Sequence, residues 1–323
     1  MNPVSSGSSR GVDEEHGLTL IVSDRVIAAD GVVMVSLRDR DGGELPAWSP
    51  GAHIDLSLGR GLVRQYSLCG DPSERDVWRI GVLRQRDSRG GSAFVHDRLH
   101  PGVTLSGRGP RNHFRFEGSV GEYLFIAGGI GITPLIPMIA AAEAAGARWV
   151  LHYGGRNNAS MALRDELSRF DDKVHLYPQD EVGLPDLDAI LRDAGPEAIV
   201  YCCGPDSLLE AAEKVAARHG LTIRVERFAP KAVAAPKWDG PFEVVLSQTG
   251  ITITVPPGRS ILDVAEDAGA MVVSSCQEGT CGTCETPVLE GIPDHRDSLL
   301  TDETNTMMIC VSRAACPRLV LDL

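Results

Sequence analysis

Apolar and polar positions divide the chain into three stretches with different periodicity. In the first, from Leu18 to about Phe116, short apolar runs alternate with turns rich in glycine, proline and aspartate. Such spacing is typical of an antiparallel β-barrel or sandwich. It predicts a short helix over Ser92–Leu99 and four strands, at Val32–Leu37, His53–Leu58, Val63–Leu68 and Val77–Leu83.

The second stretch, from Tyr123 to Phe228, alternates apolar runs of strand length with segments of helical periodicity. This alternation predicts a doubly wound parallel sheet with helices on its faces. The predicted strands are Tyr123–Ala127, Trp149–Tyr153, Val174–Tyr177, Ile199–Cys202 and Ile223–Arg227. The predicted helices are Leu135–Ala145, Met161–Phe170, Leu187–Ala194 and Ser207–His219.

The third stretch follows residues 229–240, whose proline, alanine and glycine content is typical of a linker. Its pattern predicts a small β-rich domain with one short helix. The predicted elements are a hairpin formed by Glu243–Thr249 and Ile251–Val255, a helix over Ile261–Ala268, and strands at Met308–Ser312 and Leu319–Leu323.

Composition argues against several classes of protein. The net charge is −13, from 31 Lys and Arg against 44 Asp and Glu, whereas nucleic-acid binding requires a basic face. Residues 1–16 are polar, without the apolar core of a secretory signal, and predict a loose tail. Tyr123 to Ala142 is uncharged, but glycines and prolines interrupt it, so we expect a buried strand, turn and helix and no membrane contact. Eight cysteines without an export signal favour a reducing compartment, and hence a cytoplasmic protein.

Acidic residues are concentrated in the third stretch. Residues 237–323 contain 5 Lys and Arg and 13 Asp and Glu, which is −8 of the total of −13. Two interpretations stay open. The acidic residues form either an ordinary solvated surface or a negative face that steers docking to a basic partner protein.

Four cysteines carry the most specific motif in the chain. Cys276, Cys281 and Cys284 stand in C-x4-C-x2-C spacing, and Cys310 follows after 25 intervening residues. This is the plant-type spacing for a 2Fe–2S cluster, in which each iron takes two thiolates. Glycines within the loop let its backbone wrap the cluster. A structural zinc site favours two short cysteine pairs, and only one is present here.

Two glycine-containing turns each follow a predicted strand of the parallel sheet. One spans Ala127 to Pro134 (AGGIGITP) and the other spans Tyr201 to Pro205 (YCCGP). The carboxyl ends of parallel strands meet at one edge of a sheet, where such turns form a crevice for a ligand. Either turn alone is also compatible with packing, and their pairing favours a nucleotide site.

The predicted barrel contributes two further candidates. Residues 64–68 (RQYSL) offer a charge and a hydroxyl for a phosphate or ribityl group and a ring for a flat ligand. Residues 89–92 (RGGS) offer backbone N–H groups at the start of a short helix, which suits an anion. An ordinary strand and turn would use the same residue types.

Taken together and in this order, the motifs resemble those of the phthalate dioxygenase reductase family, a branch of the ferredoxin-NADP⁺ reductase superfamily. The resemblance covers residues 17–323. It implies a multidomain protein, with a flexible tail at 1–16, an antiparallel β-barrel domain that binds FMN at 17–118, an α/β doubly wound NAD(P)-binding domain at 119–228, a linker at 229–240 and an α+β, β-grasp-like ferredoxin domain at 241–323.

The resemblance also implies cofactors and the residues that hold them. We expect FMN rather than FAD, NADH in preference to NADPH, and a 2Fe–2S cluster on Cys276, Cys281, Cys284 and Cys310. The residues implied for FMN are Arg64, Tyr66, Ser67, Val82, Leu83, Arg84, Gly90, Gly91 and Ser92, with Phe228 beside the flavin ring. Those implied for the nucleotide are Gly129, Gly131, Thr133, Arg156, Cys203, Gly204 and Pro205, with Cys203 near the nicotinamide.

Two arginines leave details of these sites open. Arg84 stands where related sequences often carry lysine, so its contact with the flavin is unsettled. Arg156 suits either an adenosine ribose or a 2′-phosphate.

The three cofactors together predict electron transfer. NADH releases two electrons as a hydride, a 2Fe–2S cluster accepts one electron at a time, and a flavin connects the two processes. We therefore expect the reductase component of an oxygenase system, and we assign no acid–base pair or nucleophile. The acceptor would be a separate Rieske-type demethylase or dioxygenase, or a haem-thiolate monooxygenase, docked near the acidic ferredoxin domain. A redox-sensing flavin and iron–sulfur protein with little turnover is the alternative.

Overall fold

Three main sheets follow one another along the chain, one for each stretch of the sequence. The computed structural model describes residues 17–59, 61–85, 90–118, 121–231, 235–300 and 304–323. The predicted tail at 1–16 and Arg89 of the RGGS motif lie outside these ranges.

Six antiparallel strands form the first sheet, in the order β4-β3-β6-β1-β2-β5. A bridge between Leu68 and Ile80 joins the two edges, so the sheet closes into the predicted barrel. The interior is apolar and includes the fully buried Trp78. The elements are β1 (Leu18–Ala29), β2 (Val32–Asp39), β3 (His53–Ser57), β4 (Val63–Ser67), β5 (Trp78–Leu83), α1 (Gly91–Arg98) and β6 (Thr104–Arg111).

The parallel sheet has the strand order β11-β10-β7-β8-β9, with apolar cores on both faces. Its strands are β7 (Glu122–Gly128), β8 (Arg148–Gly155), β9 (Val174–Pro178), β10 (Ile199–Cys203) and β11 (Thr222–Glu226). Its helices are α2 (Leu135–Ala144), α3 (Arg164–Leu167), α4 (Gln179–Val182), α5 (Leu187–Arg192) and α6 (Asp206–His219). No helix in the described ranges is long and apolar enough to cross a membrane.

The predicted helix over Met161–Phe170 is wrong. Only α3 is α-helical there, and a 3₁₀ segment at Ser168–Lys173 follows it. Leu163 has a left-handed backbone, with φ of 61°, which stops a helix from starting earlier. Met161 packs against Gly155, where an added Cβ would lie 2.3 Å from its Cγ. Tertiary packing therefore overrides helical periodicity in this segment.

The third sheet is mixed, in the order β13-β12-β18-β14-β16, with β12 and β18 parallel. A second, two-stranded sheet pairs β15 with β17. The elements are β12 (Phe242–Leu246), β13 (Ile251–Val255), α7 (Ile261–Asp267), β14 (Glu285–Glu290), β15 (Pro293–Asp294), β16 (Thr306–Met308), β17 (Arg313–Ala314) and β18 (Arg318–Leu321). This is the α+β arrangement that the sequence predicts.

The predicted strand over Met308–Ser312 is also wrong, because the chain turns where the strand was expected. Strand β16 ends at Met308, and the N–H groups of Val311 and Ser312 both donate to the Met308 carbonyl, at 3.1 and 2.9 Å. The turn carries Cys310 towards the loop that holds the other three motif cysteines. Placement of this thiol explains why the apolar run does not continue as a strand.

Candidate electron-transfer site

A cavity of about 290 Å³ opens beside barrel strands β4 and β5. It contains most of the residues implied for FMN, together with Thr133, which the resemblance assigns to the nucleotide. The predicted residues that line it are Arg64, Tyr66, Ser67, Val82, Leu83, Ser92, Thr133 and Phe228. Gly91 stands directly behind Arg64, since a Cβ there would lie 2.7 Å from the Arg64 Cγ. The start of α1 and the Arg64 side chain therefore form one wall of the cavity.

A larger cleft, of about 1370 Å³, lies at the carboxyl ends of strands β7, β8 and β10. The predicted residues that line it are Leu83, Arg84, Gly90, Gly129, Gly131, Arg156, Gly204, Pro205 and Phe228. Leu83 and Phe228 line both the cavity and the cleft, so the two adjoin. Phe228 is 46% exposed, which is unusual for a large aromatic ring and leaves a face for a flat ligand.

Two glycines of the first turn serve different purposes. Gly129 has a left-handed backbone, with φ of 54°, and open space where a Cβ would stand. A Cβ on Gly131 would lie 2.2 Å from the Cys203 carbonyl oxygen. Gly131 is therefore required for the close approach of two strand ends, and Gly129 for the turn that faces the cleft.

Cys203 does not present its thiol to the cleft. Its side chain is fully buried in the core between sheet and helices, and burial raises the pKa of the thiol well above its usual range. Cys203 is absent from the residues that line the cavity or the cleft. The backbone at the end of β10 is what it contributes to the site, and its nearness to a nicotinamide stays a prediction.

Arg84 is engaged by the barrel itself. Its guanidinium donates to both carboxylate oxygens of Asp97, at 2.6 and 3.1 Å, and both side chains are largely exposed. The Arg84 side chain is thus held at the rim of the cleft by α1.

Sequence reasoning missed Glu226, the last residue of β11. Its carboxyl group lines the cavity and accepts a hydrogen bond from Ser67 Oγ at 3.2 Å. Burial raises the pKa of Glu226 to about 8, so the group is mainly protonated at neutral pH. Its position at the carboxyl edge of the sheet, two residues before Phe228, was the available signal.

His53 is a second lining residue that the sequence did not reveal. It is 5% exposed and stands opposite Ser67 in the β3–β4 register. Burial lowers its pKa to about 4, and its Nε2 has no hydrogen-bond partner among the described residues. A buried polar atom of this kind at a cavity wall suits a ligand with polar edges. The residues therefore fit a flavin.

Cys276, Cys281 and Cys284 lie in a loop whose backbone is left-handed at three places. Gln277, Gly279 and Gly282 have φ of 55°, 70° and 76°. Two thiols accept hydrogen bonds from loop amides: Glu278 N–H donates to Cys276 at 3.2 Å, and Thr283 N–H donates to Cys281 at 3.4 Å. Backbone amides directed at thiolates favour the charged form and tune a bound cluster.

All four thiols belong to one hydrogen-bonded group. The pKa of Cys276 lies far below its usual range, because Cys281 and Cys310 donate to its sulfur. The pKa of Cys310 lies far above its usual range, because its thiol faces the sulfurs of Cys276 and Cys284. No group of three or more His, Cys, Asp or Glu side chains within the described ranges is arranged to hold one metal ion. The fit to a two-iron cluster rests on the donor set and on the loop that gathers it.

Comparisons with known proteins agree with this geometry. Residues 244–315 match the 2Fe-2S iron-sulfur cluster binding domain, and residues 125–214 match the oxidoreductase NAD-binding domain. The chain is 47% identical over 306 residues to the phenoxybenzoate dioxygenase subunit beta of Ectopseudomonas oleovorans, covering 91% of this chain and 94% of that protein. It is 35% identical over 318 residues to phthalate dioxygenase reductase of Burkholderia cepacia, covering 96% and 98%.

The solved structure of phthalate dioxygenase reductase is described as a modular structure for electron transfer from pyridine nucleotides to [2Fe-2S]. It matches with a TM-score of 0.69 at 34% identity, over 95% of this chain and 98% of that one. The chain belongs to the phthalate dioxygenase reductase family. Members of this family are reductase components of oxygenase systems and use FMN, NADH and a 2Fe–2S cluster.

A likeness to a longer protein complements this assignment. The crystal structure of an intact type IV self-sufficient cytochrome P450 monooxygenase matches with a TM-score of 0.89 at 43% identity. The match covers 95% of this chain but only 41% of that one. In that protein, the part similar to this family member is joined to further sequence within one chain.

Proposed function

We propose that this family member passes electrons from NADH, through FMN and a 2Fe–2S cluster, to a separate oxygenase. One observation carries the proposal: parts of all three sheet regions meet at the same cavity. The barrel contributes β4, the parallel sheet contributes Thr133 and Glu226, and the cluster loop contributes Glu278 and Thr280. A ligand there would contact both the nucleotide-binding edge and the cluster loop.

Domain boundaries at 17–118, 119–228 and 241–323 are part of this proposal. The matched NAD-binding and iron–sulfur segments fall inside the second and third of these ranges. Within the linker, Lys231 N–H donates to Ser298 Oγ at 3.1 Å, and Lys237 N–H donates to Asp294 Oδ2 at 3.2 Å. The described parts of the linker are therefore tied to the ferredoxin domain.

Bound flavin would supply the conversion from two-electron to one-electron transfer. Arg64 and the start of α1 would hold its phosphate, since a guanidinium and helix N–H groups both favour an anion. Tyr66 and Phe228 would cover the ring. Cys276, Cys281, Cys284 and Cys310 would hold the cluster.

Glu226 and Ser67 would control a proton at the cavity wall. The Ser67 hydroxyl donates to the Glu226 carboxyl group, whose pKa of about 8 keeps it mainly neutral at pH 7. A bound flavin would gain electrons here, and a neutral acid beside its ring would add no like-charge repulsion. In this proposal the protonated carboxyl group of Glu226 donates to the ligand edge, and the Ser67 hydroxyl holds that group in position.

For the acceptor, we propose docking on the ferredoxin domain next to its helix α7. Exposed Glu266 and Asp267 end this helix, and Met271 and Val273 follow at 98% and 57% exposure. These residues precede the cluster loop, which begins at Ser275. An apolar centre with an acidic rim suits a basic protein surface, because charge guides encounter and apolar contact holds the complex. Either a Rieske-type oxygenase or a haem-thiolate monooxygenase could present such a surface.

Substitution of one cluster ligand tests the proposed order of transfer. In Cys281→Ser, NADH should still bleach the flavin absorbance at a rate within about twofold of wild type, since the cluster loop is not part of the nucleotide cleft. Cluster absorbance and cytochrome c reduction should be lost, because serine is a poor ligand for this site. Stopped-flow absorbance and iron analysis measure both.

The matched control is Cys316→Ser, a cysteine of the same domain outside the motif. It should retain iron, flavin reduction and cytochrome c reduction. Cytochrome c reduction that survives in an iron-free Cys281→Ser protein would contradict the proposed route. A wild-type protein whose flavin NADH does not reduce within seconds would favour a sensor with little turnover.

A further inference from the structure

A buried ion pair lies where the barrel meets the cluster loop. Asp55 on β3 has a side chain that is 2% exposed, and its Oδ2 lies 2.5 Å from the guanidinium of Arg111 on β6. The Arg111 side chain is 13% exposed. Neither residue lines the cavity or the cleft. Removal of two charges from water costs several kcal/mol per ion unless further hydrogen bonds offset it, so the remaining partners of the pair are informative.

Those partners belong to the ferredoxin domain. Ser275 Oγ donates to Asp55 Oδ2 at 2.7 Å, and Arg111 Nε donates to the Cys281 carbonyl at 3.3 Å. Gln65 joins from the barrel side, with its Nε2 2.8 Å from Asp55 Oδ1 and 3.3 Å from Ser275 Oγ. The barrel pair thus binds the cluster loop at two points, just before the first ligand and at the second.

Contact between barrel and loop is close on either side of these bonds. A Cβ on Gly282 would lie 2.2 Å from Nε2 of His113, which follows β6. His53 and His113 both lie against the backbone of Cys281. Beyond the bonds, Glu278 and Thr280 of the same loop reach the wall of the cavity. The loop is therefore seated on the barrel along its length from 275 to 282.

We propose that Asp55 and Arg111 are positioning residues that fix the cluster loop at the flavin cavity. We call Asp55, Arg111, Ser275 and the Cys281 carbonyl the interdomain latch. The inference rests on the proposed function. Bound FMN would take a hydride from NADH, which leaves as NAD⁺, and would release the two electrons one at a time to the cluster and the proton to solvent. The latch sets the separation across which each electron moves.

An ion pair suits this purpose better than apolar contact would. A buried pair adds little net stability but favours one register of the loop, because a shifted loop would leave the two buried charged groups without the hydrogen bonds that Ser275 and the Cys281 carbonyl supply. Arg111 also places a positive charge beside a cluster ligand, which favours an added electron there. A packing role alone would not produce this second effect.

Three variants and one control test the latch in the holoprotein. Ser275→Ala removes one hydrogen bond, Arg111→Lys keeps the charge but not the Nε contact, and Arg111→Gln removes the charge. Arg108→Gln is the control, because Arg108 is exposed on the same strand. Anaerobic stopped-flow mixing with NADH should show cluster reduction slowed about tenfold or more in Arg111→Gln and several-fold in the other two. Flavin reduction should stay within about twofold of wild type in all four.

Two measurements besides turnover separate positioning from general stability. Hydrogen exchange of amides 274–284 should quicken in Ser275→Ala and Arg111→Lys relative to Arg108→Gln. The cluster potential should fall in Arg111→Gln and change little in Arg111→Lys, which retains the charge. If Arg111→Gln does not fold, the other two variants carry the test.

Wild-type rates of cluster reduction together with wild-type exchange in Ser275→Ala and Arg111→Lys would refute the latch. Equal slowing of flavin and cluster reduction would refute it too, since the loop position would then not be what the pair controls. A wild-type protein whose cluster NADH does not reduce would instead refute the proposed function. In that case the exchange data alone still decide whether the pair holds the loop.

Discussion

At the scale of single residues, Glu226 shows how burial changes the chemistry of a side chain. Its carboxyl group has one hydrogen-bond donor, Ser67, and its pKa rises to about 8 from an ordinary value of 4.5. At a pH between these two pKa values, Glu226 keeps its proton in the native protein and loses it in the unfolded chain. The free energy of unfolding therefore falls as pH rises through this window, by at most about 1.4 kcal/mol per pH unit.

Glu226→Gln should remove this dependence. The variant should gain thermal stability relative to wild type as pH rises from 5 to 8, because an amide carries no proton to lose. Thermal midpoints of both proteins across that range measure the difference. Glu243→Gln, which changes an exposed acid of β12, is the control and should parallel wild type. A constant offset between Glu226→Gln and wild type at every pH would show that the carboxyl group is not held neutral.

The residues found from sequence share a local signal, and those missed do not. Ser67 stands in a motif, the four cysteines stand at a fixed spacing, and Phe228 is implied by the family resemblance, so each was visible without the fold. Glu226 and His53 become site residues only because β11 and β3 bring them to the same cavity. Cys203 shows the opposite case: its motif is visible, but strand geometry directs the thiol into the core.

At the scale of elements, the pattern of apolar residues predicts correctly those elements whose own side chains form the core. The predicted parallel strands lie within a residue or two of those observed, and the central strands β7 and β10 are buried along almost their whole length. Strands β1 and β6 were not predicted. Val26 and Ile27 of β1 are 50% and 80% exposed, and β6 contains two glycines and a proline. Neither strand therefore shows the regular alternation of apolar and polar side chains that predicts a strand. Pairing with neighbouring strands defines both.

The cluster loop allows a sharper test at this scale. Gly282→Ala should slow cluster reduction and lower iron content, for two separable reasons. Its φ of 76° is left-handed, which costs a non-glycine residue about 1–2 kcal/mol, and the new Cβ would lie 2.2 Å from His113 Nε2.

The double variant Gly282→Ala/His113→Ala removes the collision and leaves the backbone strain. It should recover part of the iron content and cluster reduction, as measured by iron analysis and stopped-flow absorbance. His113→Ala alone is the reference for loss of the ring. If the double variant were no better than Gly282→Ala, contact with the barrel would not be what makes glycine necessary here.

At the scale of the whole molecule, the order of the three sheets was visible in sequence and their mutual contacts were not. Asp55 and Ser275 are 220 residues apart, and nothing local to either position predicts that they bond. Because of such contacts, one side of the ferredoxin domain is covered by the barrel and another side is not. The loop from 275 to 282 faces the barrel, so an acceptor that docks on this domain, as we propose, would approach it elsewhere.

The exposed segment from α7 to Val273 is where we expect that approach. Glu266→Lys and Met271→Ser should each lower kcat/KM for cytochrome c, a basic acceptor protein, several-fold at low salt. The Glu266→Lys effect should shrink as ionic strength rises past 0.1 M, where screening acts over about 10 Å, whereas the Met271→Ser effect should persist. Glu197→Lys makes the same charge change at an exposed site on the parallel-sheet domain and should leave kcat/KM near wild type. Equal losses in Glu197→Lys and Glu266→Lys would mean that overall charge, and not this surface, guides the acceptor.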